Sequence, residues 1–227
     1  MLDQSTIKGR LVAAAMKLAA EQPWRQVTLA KIAETAGVNL IDVRREVDSK
    51  GDVLAAFVRT VDDAVLARAP QRSPTQSARD ALFDVVMTRF DVLAHHKAAL
   101  KSIAASWPME PQVARALCQS QAWMLRAAGI ASEGLEGQLR AAGLGAVYAS
   151  VYRTWLNDDD PGLAKTMAAL DRRLRRGERT LQSVDNVVSR FCGFAKSCCD
   201  AVRKPAGGTG SEAPTGPTAA APPGAAS

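Results

Sequence analysis

The stretch NLIDVRREV, residues 39–47, sets two cations, Arg44 and Arg45, between two acids, Asp42 and Glu46. On a helix, Asp42, Arg45 and Glu46 share the outward face. Arginines there suit nucleic-acid phosphate, whereas a carboxylate either accepts from cytosine or pairs with a neighbouring arginine and holds it in position. A second set of side chains is aromatic. Tyr148, Tyr152 and Trp155 recur at i, i+4 and i+7, placing two phenols and an indole on one helix face able to orient an apolar ligand. Phe90, Trp107 and Trp123 are expected to line the same site, with Phe83, Met87, Met109 and Met124 as further candidates. His95 and His96 are adjacent and diverge by about 100° on a helix, which suits a helix end better than a shared metal. Cys192 and Cys199 lie on one face without a histidine at ligand spacing, and Cys118 stands alone. There is no glycine-rich phosphate loop, nucleophile elbow or supported acid pair, so no enzyme activity, metal or cofactor is expected.

These side chains must be positioned by helices. Up to about residue 200, apolar residues recur at three- and four-residue spacing, without the alternating runs that mark strands. The reading is an all-α chain. Ile7, Leu11, Ala14 and Leu18 form the inner stripe of a first helix ending near EQPW. Thr28 caps a second that buries Leu29, Ile32 and Ala33, and Gly37 allows the turn that follows. Asn39 caps a third, held inward by Val43 and Val47. Ser49 with Asp52 resembles a capping box opening a long fourth helix. APQRSPTQ, 69–76, interrupts the pattern; further helices are predicted near 77–95, 97–106, 110–128, 133–157 and 161–177, with a last one near 178–200. Asp160 is expected to cap the helix at 161, with Pro161 in its first position. Gly143 and Gly145, inside a predicted helix, are expected to permit a close helix contact or to mark a break.

Charge sharpens this picture. The formal net charge is +6, yet residues 1–60 carry an excess of only two cations and most of the surplus lies in 161–204. That is the wrong end for a strongly basic N-terminal nucleic-acid binder. No apolar run approaches the ~20 residues that cross a bilayer, the N-terminus lacks the apolar core of a secretion signal, and the cysteines suggest no disulfide framework. These features predict a cytoplasmic protein. The proline- and glycine-rich end from Pro205 has too little apolar surface to offset ordering entropy and is expected to be disordered.

VTLAKIAETAGVNLIDVRREVDSKGDVLAAF, residues 27–57, resembles the DNA-binding domain of TetR-type transcriptional regulators. The resemblance implies a homodimer with an N-terminal helix-turn-helix domain, 1–48, a helical ligand-binding and dimerisation domain, 49–203, joined through the fourth helix, and a tail, 204–227. It assigns Thr28 and Lys50 to phosphate and Asn39, Leu40 and Asp42 to the bases of a double-stranded operator. That family's third helix usually ends in a tyrosine, any residue, a histidine and a phenylalanine; Arg44, Arg45, Glu46 and Val47 stand there instead. Arg44 replaces a tyrosine-to-phosphate hydrogen bond with a charge-assisted one, and Glu46 cannot make such a contact.

VYRTWLNDDDPGLAKTMAALDRRLRRGE, 151–178, resembles the C-terminal domain shared by some bacterial TetR-type regulators and by ubiquinone-biosynthesis accessory proteins of TetR-like fold, on the strength of Trp155, the acids 158–160, Thr166 and LDRRL. The accessory proteins bind isoprenoid lipid and dock a quinone hydroxylase. The apolar stripe of 178–200, preceded by arginines, is the segment through which such a protein would touch a membrane. The sequence therefore predicts a ligand-responsive regulator, a repressor, that binds DNA and a small apolar effector. The alternative is a lipid- or quinone-binding accessory protein that does not bind DNA.

Overall fold

Short-range polar caps explain where the first five α-helices of this computed structural model begin; it describes residues 4–106 and 110–177. The Thr6 hydroxyl accepts from the Gly9 amide at 3.0 Å and opens α1, Ile7–Glu21. A 3-10 turn, Trp24–Gln26, follows Pro23, and its Trp24 is buried. Thr28 accepts from the Lys31 amide at 3.2 Å and opens α2, Leu29–Ala36. The helix stops at Gly37, whose φ of 62° and ψ of 39° place it in the left-handed region that a Cβ disfavours. Asn39 then caps α3, Leu40–Glu46, by accepting from the Asp42 amide at 2.9 Å. The full capping box of Ser49 and Asp52 opens α4, Lys50–Leu66.

After the interruption come α5, Ala78–Leu93, a 3-10 turn at Ala94–His96, α6, Lys97–Ala104, α7, Pro111–Ala127, α8, Gly134–Leu156, and a final helix, α9, over 164–177. The described residues contain no strand. One core runs through them, from Leu11 and Met16 of α1 through Phe57 of α4 and Phe90 of α5 to Trp155 of α8 and Leu170 of α9. The spine is α4: it contacts α1 at its front, and α5 and α7 along its length. At about 25 cal/mol per Å², each large side chain in such a core contributes about 1.5–3 kcal/mol.

Two local readings are corrected. Residues 161–162 form a turn, and α9 opens three residues later than expected. Asp160 still serves the helix start, accepting from the Gly162 amide at 3.2 Å and the Ala164 amide at 3.0 Å, but Leu163 adopts a φ of 51° before the helix begins. Asp158 does the deeper work: buried, it accepts from the Thr166 amide at 2.9 Å and from its hydroxyl at 2.7 Å. The hydroxyl's hydrogen bond holds the Asp158 carboxyl below its ordinary range. The second correction concerns α8, which is unbroken at Gly143 and Gly145. A Cβ at Gly143 would meet open space, and one at Gly145 only ordinary contact with Gln121. The glycine that does require close approach is Gly137, where a Cβ would lie 2.1 Å from the Ser132 backbone.

Candidate functional site

The N-terminal helices place α3 on the surface with only Val43 buried. Its outer side exposes Leu40 and Ile41, at 61% and 69%, together with Arg44 and Arg45. The two acids are already paired. Asp42 accepts from the Asn39 side-chain amide at 2.6 Å and from Arg45 at 3.1 Å, so it braces the helix start and the arginine at once. Glu46 meets Lys8 of α1 at 3.1 Å. Among the described residues Arg44 has no ion-pair partner, so it is the uncompensated cation of the outer face. Of the two roles open to Asp42 from sequence, the structure contains the pairing with Arg45.

Thr28 is exposed at the α2 N-terminus, where its hydroxyl accepts from the Lys31 amide as the helix cap. Lys50 is also engaged. Its ammonium donates to the Trp24 and Val27 carbonyls, both at 3.2 Å, and lies 5.0 Å from the centre of the Trp24 ring. In this conformation two of its donors serve the fold rather than an outward contact.

In the C-terminal part, the expected aromatic site divides in three. Phe90, Tyr148, Tyr152 and Trp155 come together as one stack: Phe90 lies 5.4 Å from Tyr148 and 5.3 Å from Trp155, and Tyr152 lies 5.9 Å and 5.6 Å from the same two rings. Phe90, Tyr148 and Trp155 are buried, so here the stack is solid core and not the wall of an open pocket. Trp123 lies apart, 47% exposed on α7 beneath the Arg126 guanidinium. Trp107 and Met109 lie outside the described residues.

Against the stack sits a polar network that sequence reasoning missed. Arg89, 2% exposed, pairs with Asp62 of α4 and donates to the Tyr148 hydroxyl at 3.2 Å. The Ser120 hydroxyl of α7 donates to Asp62 at 2.6 Å. Four helices are thus joined through one buried charge pair, whose partners are separated by 27, 58 and 59 residues and carry no local signature. Burial pushes the Tyr148 and Tyr152 phenols up and keeps both protonated.

An open groove of about 440 Å³ lies instead between α5 and α9. Phe83, Met167 and Leu174 give it an apolar lining, with Arg79, Asp171 and Arg175 among its charged residues. Only Phe83 of these was a sequence candidate. At the junction of α5 and α6, His96 packs edge-on against Phe57 at 5.3 Å, and burial, then the charge of His95, lowers its pKa.

Residues 111–180, spanning α7, α8 and α9, match the COQ9 family model. The chain is also similar to a solved TetR transcriptional regulator from Nitrosomonas europaea, at 20% identity and a TM-score of 0.58, covering 76% of this chain and 98% of that one. A TetR transcriptional regulator from Rhodococcus sp. RHA1 matches at 20% identity and a TM-score of 0.57, over 77% of this chain and 97% of the other. No curated protein matches the sequence. The fold is that of TetR regulators, and the C-terminal match is to COQ9. Among the described residues no helix is long and apolar enough to cross a membrane.

Proposed function

We propose that this chain is a ligand-responsive transcriptional repressor that binds double-stranded DNA as a homodimer. The observation that carries the reading is the pairing on α3. Asp42 and Glu46 are each neutralised by a cation of the chain's own, which removes the main objection to a phosphate-facing surface. Leu40 and Ile41 offer apolar contact to thymine methyls, Arg45 is held ready by Asp42, and Arg44 and Thr28 reach the phosphates on either side. Asn39 acts as the cap that fixes the helix in that pose.

A dimer is supported by α8, whose Leu135, Leu139, Ala142 and Ala146 form an exposed stripe at alternating four- and three-residue spacing. Two heads so joined would enter successive major grooves about one DNA turn apart. The effector enters the reading through the groove between α5 and α9, which has an apolar lining and charged residues beside it. Its binding shifts the population of head separations, in proportion to its differential affinity for the two states.

The test is selection of duplexes from a random library by the purified protein at low salt, followed by binding to the winning sequence. Enrichment of a two-fold symmetric site, lost in the Arg44→Glu variant, is expected. No enrichment at any salt overturns the reading. A second reading is favoured by the COQ9 match over 111–180: a non-DNA-binding protein that carries an isoprenoid lipid or quinone intermediate and docks an enzyme. Mass spectrometry of lipid extracted from the purified protein separates the two, since a bound polyprenyl compound with no duplex enrichment supports the second.

A further inference from the structure

The turn between α1 and α2, Gln22–Val27, is held by side chains from two distant helices. The Ser102 hydroxyl of α6 accepts from the Trp24 amide at 2.9 Å and donates to the Gln22 carbonyl at 3.1 Å. From the other side, Lys50 of α4 donates to the Trp24 and Val27 carbonyls and lies over the Trp24 ring. The amide and the carbonyl of Trp24 are therefore both anchored outside their own turn, and the indole between them is 4% exposed.

Lysine is a poor choice for the first residue of a helix, where the macrodipole disfavours a cation. Lys50 stands there all the same, and two carbonyls and a ring face compensate it. Its second carbonyl, that of Val27, belongs to the peptide that leads into Thr28, the exposed cap at the start of α2. Lys50 thus reaches the peptide next to that cap, while Ser102 holds the other end of the same turn.

We infer that Lys50 and Ser102 form a two-point clamp through which α6 and α4 set the position of Thr28 and the α2 N-terminus. Lys50 is a positioning residue for the DNA-facing surface and makes no phosphate contact of its own. Ser102 is the point at which α6, packed on α1 and joined to α5 by the His96 turn, reports its position to the head. This rests on the DNA-binding reading for its functional consequence, but the clamp itself is testable without DNA.

Two measurements decide it, on the full-length chain. The first is the salt dependence of binding to the selected duplex for wild type and Lys50→Met. A phosphate contact in each protomer of a dimer would flatten the slope of log K against log salt by about 1.8, at about 0.9 per phosphate. The clamp predicts a weaker Kd with an unchanged slope. The second is hydrogen exchange at the Trp24 amide. Ser102→Ala should speed it about five- to tenfold while buried amides of α8 hold their rates, and should weaken Kd although Ser102 is remote from the head's outer face. Ser102→Thr, which keeps the hydroxyl, should restore both. A flattened slope in Lys50→Met overturns the positioning role, and an unchanged Trp24 amide in Ser102→Ala overturns the clamp. If the wild type selects no duplex, the regulator reading falls while the exchange result still decides the clamp.

Discussion

Removing one member of the buried Asp62–Arg89 pair should be among the most damaging single changes available in this chain. The two side chains are 9% and 2% exposed, so neither charge can recover water if its partner is lost. For Arg89, burial favours the neutral form, but the Tyr148 oxygen and the Asp62 carboxylate outweigh it and raise its pKa, so the guanidinium stays charged. Asp62→Ala therefore strands a cation in the core and leaves the Ser120 hydroxyl without its acceptor. Breaking a buried pair in this way costs about 3–5 kcal/mol. For a folded unit of this size that loss corresponds to a fall in Tm of about 6–20 °C. Arg89→Met should cost a similar amount, because it strands the carboxylate.

The double variant Asp62→Leu with Arg89→Met gives the decisive comparison. It removes both charges and fills much of their volume, so it should be less destabilised than Asp62→Leu or Arg89→Met alone, and the cycle of those three variants should give a coupling of about 3 kcal/mol. The assay is urea denaturation followed by far-ultraviolet circular dichroism, at one protein concentration, because dimerisation would make stability concentration-dependent. A loss below about 1 kcal/mol in Asp62→Ala would refute the reasoning, since it would mean that water reaches Arg89. A double variant as unstable as the sum of the singles would refute it differently, by showing that shape rather than charge is what these residues supply.

Three further outcomes follow from the same geometry. Gly137→Ala should destabilise the protein severely because its Cβ meets the Ser132 backbone, whereas Gly143→Ala, in open space on the same helix, should be neutral or stabilise by up to about 1 kcal/mol; thermal melts of both compare them directly. The only tyrosines are Tyr148 and Tyr152, so absorbance at ~295 nm titrates these two phenols alone. With both folded-state pKa values raised above the unfolded ~10, the folded chain holds its phenol protons where an unfolded one releases them; stability falls as pH rises above ~10, and phenolate should appear only on alkaline unfolding. His96 has the opposite linkage: its lowered pKa means that the unfolded state binds the proton first, so stability falls as pH drops below about 6.5, and in a proton NMR titration its ring signal should shift at lower pH than an unperturbed histidine.

What the sequence made legible was whatever acts within about four residues. Thr28, Gly37, Asn39 and the Ser49–Asp52 box fall where expected because each satisfies backbone groups of its own turn. The aromatic spacing of Tyr148, Tyr152 and Trp155 likewise put three rings on one face, although Phe90 joined them as core and left the open groove to Phe83, Met167 and Leu174. Lys50 shows the limit. Its partners are backbone carbonyls 23 and 26 residues earlier, and a carbonyl has no residue type for a sequence pattern to register. Arg89 and Asp62 were invisible for the related reason that one lysine-poor helix holds the acid and another the base, and nothing local ties them together.

The same distinction bears on α3. By residue type its outer side looks like a compromise between two cations and two anions, which is a weak case for binding a polyanion. In space, Asp42 is bonded to Asn39 and Arg45, and Glu46 is bonded to Lys8, so the anions are answered before any partner arrives. What the proposed DNA-facing surface then offers is Leu40, Ile41 and Arg44, which has no ion-pair partner among the described residues, with Arg45 held in place beside them. Under the DNA-binding proposal, affinity would rest on few phosphate contacts and a good deal of apolar contact, which should give a shallow salt slope. Arg44→Ala should flatten that slope further, whereas Leu40→Ala should weaken binding without changing it. If Glu46→Gln strengthened binding as much as Arg44→Ala weakened it, the pairing with Lys8 would not be shielding the acid, and the electrostatic argument for this surface would fail.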